Sequence, residues 1–199
     1  MPSAIEELNS TMSSLAARVG QSVVQVGDGS GGGAGSIWHS GGLVVTNAHV
    51  ARRKSLRVTL ADGRLMRARL LARDTFHDVA ALGIDMSGLP AIELGDSRRL
   101  QPGQWVFALG HPHGVRHALT GGVVIGTGPN WDEGPLAGRE WLMLDLHLRP
   151  GNSGGPVFDV QGRMIGISTA IDGPESGLAV PVHTVKAFLR EALQSEKVA

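Results

Sequence analysis

Three short stretches of the sequence contain the residue types of a nucleophilic catalytic site. His49 lies in GGLVVTNAHV, Asp78 in DTFHDVAALGI and Ser153 in RPGNSGGPVFD. A serine hydroxyl is a weak nucleophile unless an adjacent base takes its proton, and histidine suits that role because it titrates near neutrality. The imidazole in turn needs a buried carboxylate, which fixes its tautomer and stabilises its charged form. These three residues are therefore the first candidates for catalysis.

The glycines around Ser153 have a chemical reason as well. An oxyanion that develops during attack on a carbonyl must be met by backbone N–H groups, and side chains there would block the substrate. We therefore expect an oxyanion hole at Gly151, Asn152 and Ser153, with Gly151 and Ser153 as the donors. Gly154 and Gly155 let the chain pass close to its neighbours as it enters the next strand.

The segment GNSGG also fits the pattern G-x-S-x-G, which α/β-hydrolases place on a strand-to-helix turn. Their order Ser, Asp, His could be met by Ser153, Asp172 and His183. The chain after Ser153, however, reads GGPVFDVQGRMIGIS, which is the pattern of a β-hairpin, and little chain remains for the rest of such a sheet. The order His, Asp, Ser matches the chymotrypsin-type triad instead. We therefore reject the α/β-hydrolase alternative.

Most of the elements that must hold these residues are strands. Ser3 to Val19 carries apolar residues at spacings of three and four, and a Ser3 cap with Glu6 three positions later predicts an amphipathic helix. After that helix, short apolar runs are broken by Gly, Asp-Gly or Pro. Strands are predicted at 23–26, 35–39, 43–46, 56–60, 64–73 and 79–84. A second set is predicted at 104–109, 118–127, 141–146, 155–159, 163–171 and 177–182.

The order of these elements predicts the fold class. Six strands, a polar crossing at 86–103 and six further strands indicate an all-β fold of two six-stranded antiparallel units, each a barrel or a sandwich. A helix predicted at about 183–194 closes the chain, and the helix at 3–19 opens it.

Composition excludes several classes of function. Hydrophobic residues make up 42% of the 199 residues, charged residues 18%, and the formal net charge is zero. A neutral chain gives no electrostatic case for nucleic acid or an anionic membrane, so the run Arg52, Arg53, Lys54 is interpreted as a solvated loop. There are no cysteines, and no apolar run approaches the length of a membrane span. The first residues lack the pattern of a secretory signal, and the sequence assigns no compartment.

Four stretches in register resemble the HtrA/Deg family of trypsin-like serine proteases: GSIWHSGGLVVTNAHV, HDVAAL, IELGDSRRLQPGQWVFALGHPHG and RPGNSGGPVFDVQGRMIGISTAI. The similarity runs from about Ser22 to Ala187. It implies a double barrel whose cleft holds His49 as base, Asp78 as orienting acid and Ser153 as nucleophile. It also implies ATP-independent cleavage of unfolded or damaged polypeptides, with no metal and no cofactor.

The resemblance implies a single trypsin-like protease domain over residues 1–199. Its expected parts are a helical segment at 1–21, a first barrel at about 22–103, a second barrel at about 104–182 and a helix at 183–199. Family members usually continue into PDZ domains, and we expect none here because the chain ends just after the region of resemblance. Many family members form trimers through N-terminal aromatic residues. Residues 1–37 contain no Phe, Tyr or Trp, so that trimer motif is not evident.

Substrate contacts are implied by the resemblance in outline. His147 stands six positions before Ser153, at the floor of the primary specificity pocket in trypsin-like folds, and it is not the Asp that attracts Lys or Arg. We interpret His147 as a hydrogen-bonded structural residue, and Leu148 and Ile171 as an apolar lining for small or medium side chains. Thr169 is the candidate donor to Asp78, with Ser168 second.

The sequence also suggests a substrate-binding edge, a mobile loop, a histidine cluster and an alternative function. Ala170 and Ile171 are expected to supply a strand edge on which substrate adds as a β-strand. Residues 128–140 could form a mobile activation loop. The histidines His111, His113 and His117, with or without His147, could chelate a metal, but no acidic or thiolate partner accompanies them, so a plain loop is favoured. A latent or inactive peptide-binding module on the same fold stays open as an alternative function.

Overall fold

The computed structural model describes residues 2–27, 32–52, 56–129, 137–172 and 176–195. Within them, twelve strands form two closed six-stranded antiparallel barrels, which confirms the predicted fold class. The first barrel contains β1 (Val23–Gly27), β2 (Gly32–His39), β3 (Leu43–Thr46), β4 (Leu56–Thr59), β5 (Leu65–Asp74) and β6 (Val79–Ile84). The second contains β7 (Trp105–Gly110), β8 (Ala118–Pro129), β9 (Glu140–Asp145), β10 (Pro156–Asp159), β11 (Met164–Asp172) and β12 (Ser176–Pro181).

Each barrel closes by pairing strands that are distant in the sequence. In the first barrel β1 pairs with β4, and Val26 faces Val58. In the second barrel β7 pairs with β10, and Phe107 faces Phe158. Closure leaves neither sheet with a long free edge, and it buries the apolar face of the strands inside.

Strand β2 begins three residues before the predicted start at 35. Gly32 and Gly33 form part of β2 because they pair with Gly27 and Val26 of β1. A Cβ atom built on Gly32 would lie 2.1 Å from the carbonyl oxygen of Val26. The close approach of the two backbones requires glycine inside the strand.

Two helices pack on the barrels. Helix α1 (Ala4–Gly20) begins with the predicted capping box of Ser3 and Glu6, and buries Leu15 and Val19. Its first turns are more exposed than the apolar stripe suggested, since Ile5 is 71% exposed. Helix α2 (Val182–Ser195) lies against β11 and β12. Across the described ranges, no helix is long and apolar enough to cross a membrane.

A shared apolar cluster joins the two barrels. Ala34, Val45 and Val79 of the first barrel belong to the same buried cluster as Leu109 and Phe158 of the second. The barrels are therefore held in fixed relative positions where the candidate catalytic residues lie, and burial of apolar side chains supplies the stabilisation.

Candidate active site

One helical turn after β3 positions His49. The N–H groups of Val50 and Ala51 donate to the carbonyl of Asn47, and the buried Asn47 amide donates to the carbonyl of Asp78 at 2.9 Å. His49 then contacts Asp78 twice. Its backbone N–H donates to Oδ1 at 3.0 Å, and its Nδ1 lies 2.8 Å from Oδ2. This double contact fixes both the position and the ring orientation of the imidazole.

Asp78 lies just before β6 with a φ of +57°, in the left-handed region. Aspartate tolerates this region better than most residues, which allows its carboxylate to turn back toward His49. The hydroxyl of Thr169 donates to Oδ2 of Asp78, as predicted. Ser168, the second candidate, donates instead to the carbonyl of Asn152 at 2.7 Å.

The environment of Asp78 keeps its carboxylate ionised. Burial by itself would raise the pKa of Asp78, but hydrogen bonds from His49 and Thr169 outweigh that effect, and the net pKa is lowered. The stability that the ionised carboxylate adds is therefore present at neutral pH, and is lost only in acid as pH falls through the lowered value.

Ser153 is held by both barrels. Its carbonyl accepts the N–H of Ala34 in β2 at 2.7 Å, and Gly154 donates to Ser168 at 2.9 Å. Its hydroxyl donates to the carbonyl of Thr169 at 3.3 Å. No hydrogen bond joins Ser153 Oγ to the His49 ring, both residues being among those described. Ser153 is thus linked to the Asp78–His49 pair through Thr169, with the serine hydroxyl turned to the Thr169 carbonyl.

A tight turn precedes Ser153. The N–H of Asn152 donates to the carbonyl of Arg149 at 2.9 Å, and Gly151 has a φ of +104°. Pro150 and Gly151 at the two central positions are typical of a type II turn. The Gly151 carbonyl accepts the N–H of His111 at 3.0 Å, which holds the turn from below. Among the residues that the structure describes, nothing accepts the N–H groups of Gly151 and Ser153.

His111 is buried beneath this turn. Its ring lies 5.4 Å from the ring of His117, and burial together with the charge of His117 lowers the pKa of His111 to about 4. His113 is exposed at a φ of +52°. No group of three or more potential metal ligands occurs in the described part of the chain. His111 instead supports the turn through its backbone N–H, which donates to the Gly151 carbonyl.

The predicted substrate contacts are only partly visible. Leu148 is buried, and its Cδ1 lies 2.8 Å from a Cβ built on Gly177 of β12. His147 is exposed and forms no hydrogen bond to any described residue, and its interpretation as a hydrogen-bonded structural residue stays a prediction. The side chains of Ala170 and Ile171, and most of the segment 128–140, lie outside the described residues.

The sequence did not suggest the cavity beside His49. This cavity of about 490 Å³ is bordered by His49 and Thr169 and by the side chains of Arg52, Arg73 and Arg139. A second cavity of about 550 Å³ lies against the turn at Gly151. The three arginines are far apart in the chain, and only the folding of the two barrels brings them together.

Residues 33–167 match the model of the trypsin-like peptidase domain. The chain is 38% identical to the putative serine protease HhoB of Synechocystis sp. over 161 residues, covering 78% of this chain and 39% of that protein. It is 40% identical to protease Do-like 1, chloroplastic, of Arabidopsis thaliana over 179 residues, covering 84% and 40%.

A solved structure of the HtrA-type protease AlgW with a decapeptide is also similar. It superposes with a TM-score of 0.84 at 27% identity, and the match covers 92% of this chain and 67% of that one. The chain spans about 40% of the length of the curated relatives it matches. Fold, motifs and relatives agree: the chain belongs to the trypsin-like peptidase family, and its relatives within that family are HtrA/Deg serine proteases.

Proposed function

We propose that this protein is a serine endopeptidase that hydrolyses unfolded or damaged polypeptides, without ATP, through an acyl-enzyme intermediate. The observation that carries the proposal is the double contact of Asp78 with His49, together with Thr169, which contacts both Asp78 and Ser153. A buried carboxylate on Nδ1 leaves Nε2 as the nitrogen that accepts the serine proton, and stabilises the imidazolium that forms. His49 then returns the proton to the leaving amine, and water attacks the acyl-enzyme in the second step.

The turn before Ser153 supports the assignment of the oxyanion hole. The N–H groups of Gly151 and Ser153 have no acceptor among the described residues, while the N–H of Asn152 is used to close the turn. Two N–H donors held in place before the reaction stabilise developing negative charge with little reorganisation. Asn152 serves this arrangement as a spacer, and its side-chain Oδ1 accepts the N–H of Arg149 at 3.1 Å.

The edge of β11 supports a polypeptide substrate. β11 pairs with β12 as far as Asp172, but its pairing with β10 ends at Ile167. Beyond Ser168, the described backbone of β11 therefore has a neighbour on one side only, and an extended substrate can add at Thr169, Ala170 and Ile171. The substrate N–H would take the Thr169 carbonyl from Ser153, whose hydroxyl is then released toward His49.

Specificity is proposed for small or medium apolar side chains before the cleaved bond. The buried Leu148 supports an apolar lining, and no acidic side chain stands at position 147. The exposed His147 would lie at the mouth of this pocket, where it faces solvent or substrate.

Two assays test this function. Unfolded casein is incubated with the wild type and with Ser153→Ala, and cleavage is expected only with the wild type. A fluorophosphonate probe is expected to label the wild type but not His49→Ala, because the serine is activated through the imidazole. Equal loss of casein in both samples would refute the assignment of Ser153.

A latent peptide-binding module is the second candidate, and one observation favours it. The Ser153 hydroxyl donates to Thr169 and not to His49. In this alternative the protein binds peptides on β11 but the serine stays turned away. Labelling by the fluorophosphonate without cleavage of casein, together with peptide binding, would support the latent module. Catalytic hydrogen bonds often tighten only when substrate binds, which favours the active enzyme.

A further inference from the structure

We propose that the cavity beside His49 selects substrates with an acidic side chain at the second residue before the cleaved bond. This specificity rests on the proposed peptidase function and adds a determinant to it. The cavity has a volume of about 490 Å³, which is enough for one long side chain, and it borders the imidazole that acts on the substrate.

The charge of the cavity is one-sided. Arg52, Arg73 and Arg139 all line it, and Asp78 is its one carboxylate among the described lining residues. Asp78 is already occupied, because it accepts from the N–H and ring of His49 and from Thr169. Three guanidinium groups thus face one space whose single described carboxylate is already engaged.

Arg52 and Arg73 are available for a ligand. Both are exposed, and neither forms an ion pair with any residue that the structure describes. Arg73 is the last residue but one of β5, and Arg52 comes after the turn that carries His49. By contrast Arg69, on the same strand as Arg73, lies 3.2 Å from Asp85. Arg69 therefore has a carboxylate partner on this strand, which Arg73 and Arg52 lack among the described residues.

Arg139 is held in place by aromatic rings. Its guanidinium carbon lies 5.1 Å from the ring centre of Phe76 and 5.7 Å from that of Trp141. Such stacking holds the plane of the guanidinium and fixes its edge, which is the part that binds a carboxylate. A guanidinium held in this way adds a positioned positive charge to the border of the cavity.

The register of a bound substrate directs one side chain into this cavity. A peptide added to β11 at Thr169 is extended, and its successive side chains point to opposite sides. The residue before the cleaved bond enters the pocket at Leu148, so the residue preceding it points the other way. The cavity borders Thr169 and His49, and Leu148 is not among its lining residues. The side chain of the second residue before the cleaved bond therefore points toward the arginines.

Peptides that differ at one position test the selection. Each peptide carries Val directly before the cleaved bond and Glu, Gln or Lys at the second residue before that bond. For each peptide, kcat/KM is measured at low salt. Gln matches Glu in shape, so their ratio isolates the charge. We expect Glu to exceed Gln about tenfold, since charge-assisted hydrogen bonds contribute on that order, with Lys lowest. The ratio is expected to fall as salt is added.

Variants assign the effect to the arginines. Arg52→Gln and Arg73→Gln are each expected to reduce the ratio of Glu to Gln severalfold, and the double variant to bring it near one. The matched control is Arg67→Gln, an exposed arginine on β5 that lines neither the cavity beside His49 nor the one at Gly151 and should keep the ratio. Equal rates for Glu and Gln in the wild type, or an unchanged ratio in the double variant, would overturn the selection.

A binding measurement separates this result from the peptidase function. The same labelled peptides are titrated into Ser153→Ala and followed by fluorescence anisotropy, which needs no turnover. Tighter binding of Glu than of Gln, lost in the double variant, supports the acidic subsite even if no peptide is cleaved. Cleavage of the Gln and Glu peptides at equal rates refutes the subsite and leaves the peptidase function standing.

Discussion

Thr169 contacts both Asp78 and Ser153, and so links the His49–Asp78 pair to the serine of the candidate triad. Its hydroxyl donates to the Asp78 carboxylate, and its carbonyl accepts the Ser153 hydroxyl at 3.3 Å. One residue of the second barrel thus orients a carboxylate of the first barrel and determines where the nucleophile rests.

Removal of the Thr169 hydroxyl should impair catalysis without unfolding the protein. Thr169→Val keeps the volume and the carbonyl but deprives Asp78 of one donor, so we expect kcat/KM to fall about tenfold, the usual effect of losing a hydrogen bond to a charged group. Thr169→Ser restores the hydroxyl and should recover most of the activity. Similar losses in both variants would mean that packing, and not the hydroxyl, is what matters.

Asp78→Asn should abolish most of the turnover while leaving the backbone unchanged. Asparagine also tolerates a positive φ, so the turn is kept, but the amide favours the wrong imidazole tautomer; a loss of kcat of about ten-thousand-fold is expected. Asp74→Asn is the control, because His77 Nδ1 lies 2.6 Å from the Asp74 carboxylate in a similar pair outside the cleft. Comparable losses in the two variants would refute the role of Asp78.

Gly151→Ala should disrupt the turn that holds the oxyanion donors. A Cβ there would lie 2.5 Å from the carbonyl oxygen of His111, and φ is +104°. We expect kcat, measured as peptide turnover, to fall while the triad stays intact. Circular dichroism checks that the variant is folded. Gly103→Ala separates strain from contact, because φ there is +86° but no atom lies within 4 Å of the added Cβ. That control should cost about 1–2 kcal/mol of stability and no activity.

His111 should make the stability of the protein depend on pH. Burial and the charges of His117 and Arg116 lower its pKa from 6.5 to about 4, so the folded state disfavours the protonated ring. The contribution of His111 to the free energy of unfolding is then highest above pH 6.5. It falls by about 3 kcal/mol as pH drops from 6.5 to 4.

Denaturant titrations of His111→Leu at several pH values measure this dependence. Leucine cannot titrate, so the slope between pH 6.5 and pH 4 should flatten by the contribution of His111. His113→Asn is the matched control, since His113 is exposed and asparagine suits its φ of +52°. An unchanged slope in His111→Leu would contradict the assignment of the buried ring.

The sequence alone predicted most of the secondary structure and nominated the candidate catalytic residues. Short apolar runs between turn residues predicted the strands, because Gly, Asp-Gly or Pro ends each run where the chain must turn, and the family resemblance implied the two barrels. The capping box at Ser3 was readable because its two partners are three residues apart. Roles for His49, Asp78 and Ser153 came from the residue types, their chain order and the family resemblance.

Tertiary structure decided everything that depends on residues distant in the sequence. Strand β2 begins at Gly32 because β1 approaches closely enough to require glycine, which a glycine run in the sequence does not reveal. The exposure of His147 and the positive φ of Asp78 likewise depend on neighbours outside their own segments. Arg52, Arg73 and Arg139 form one charged cavity only after both barrels close. Local patterns record which face a residue buries, whereas the distances that govern chemistry are set by the packing of one barrel against the other.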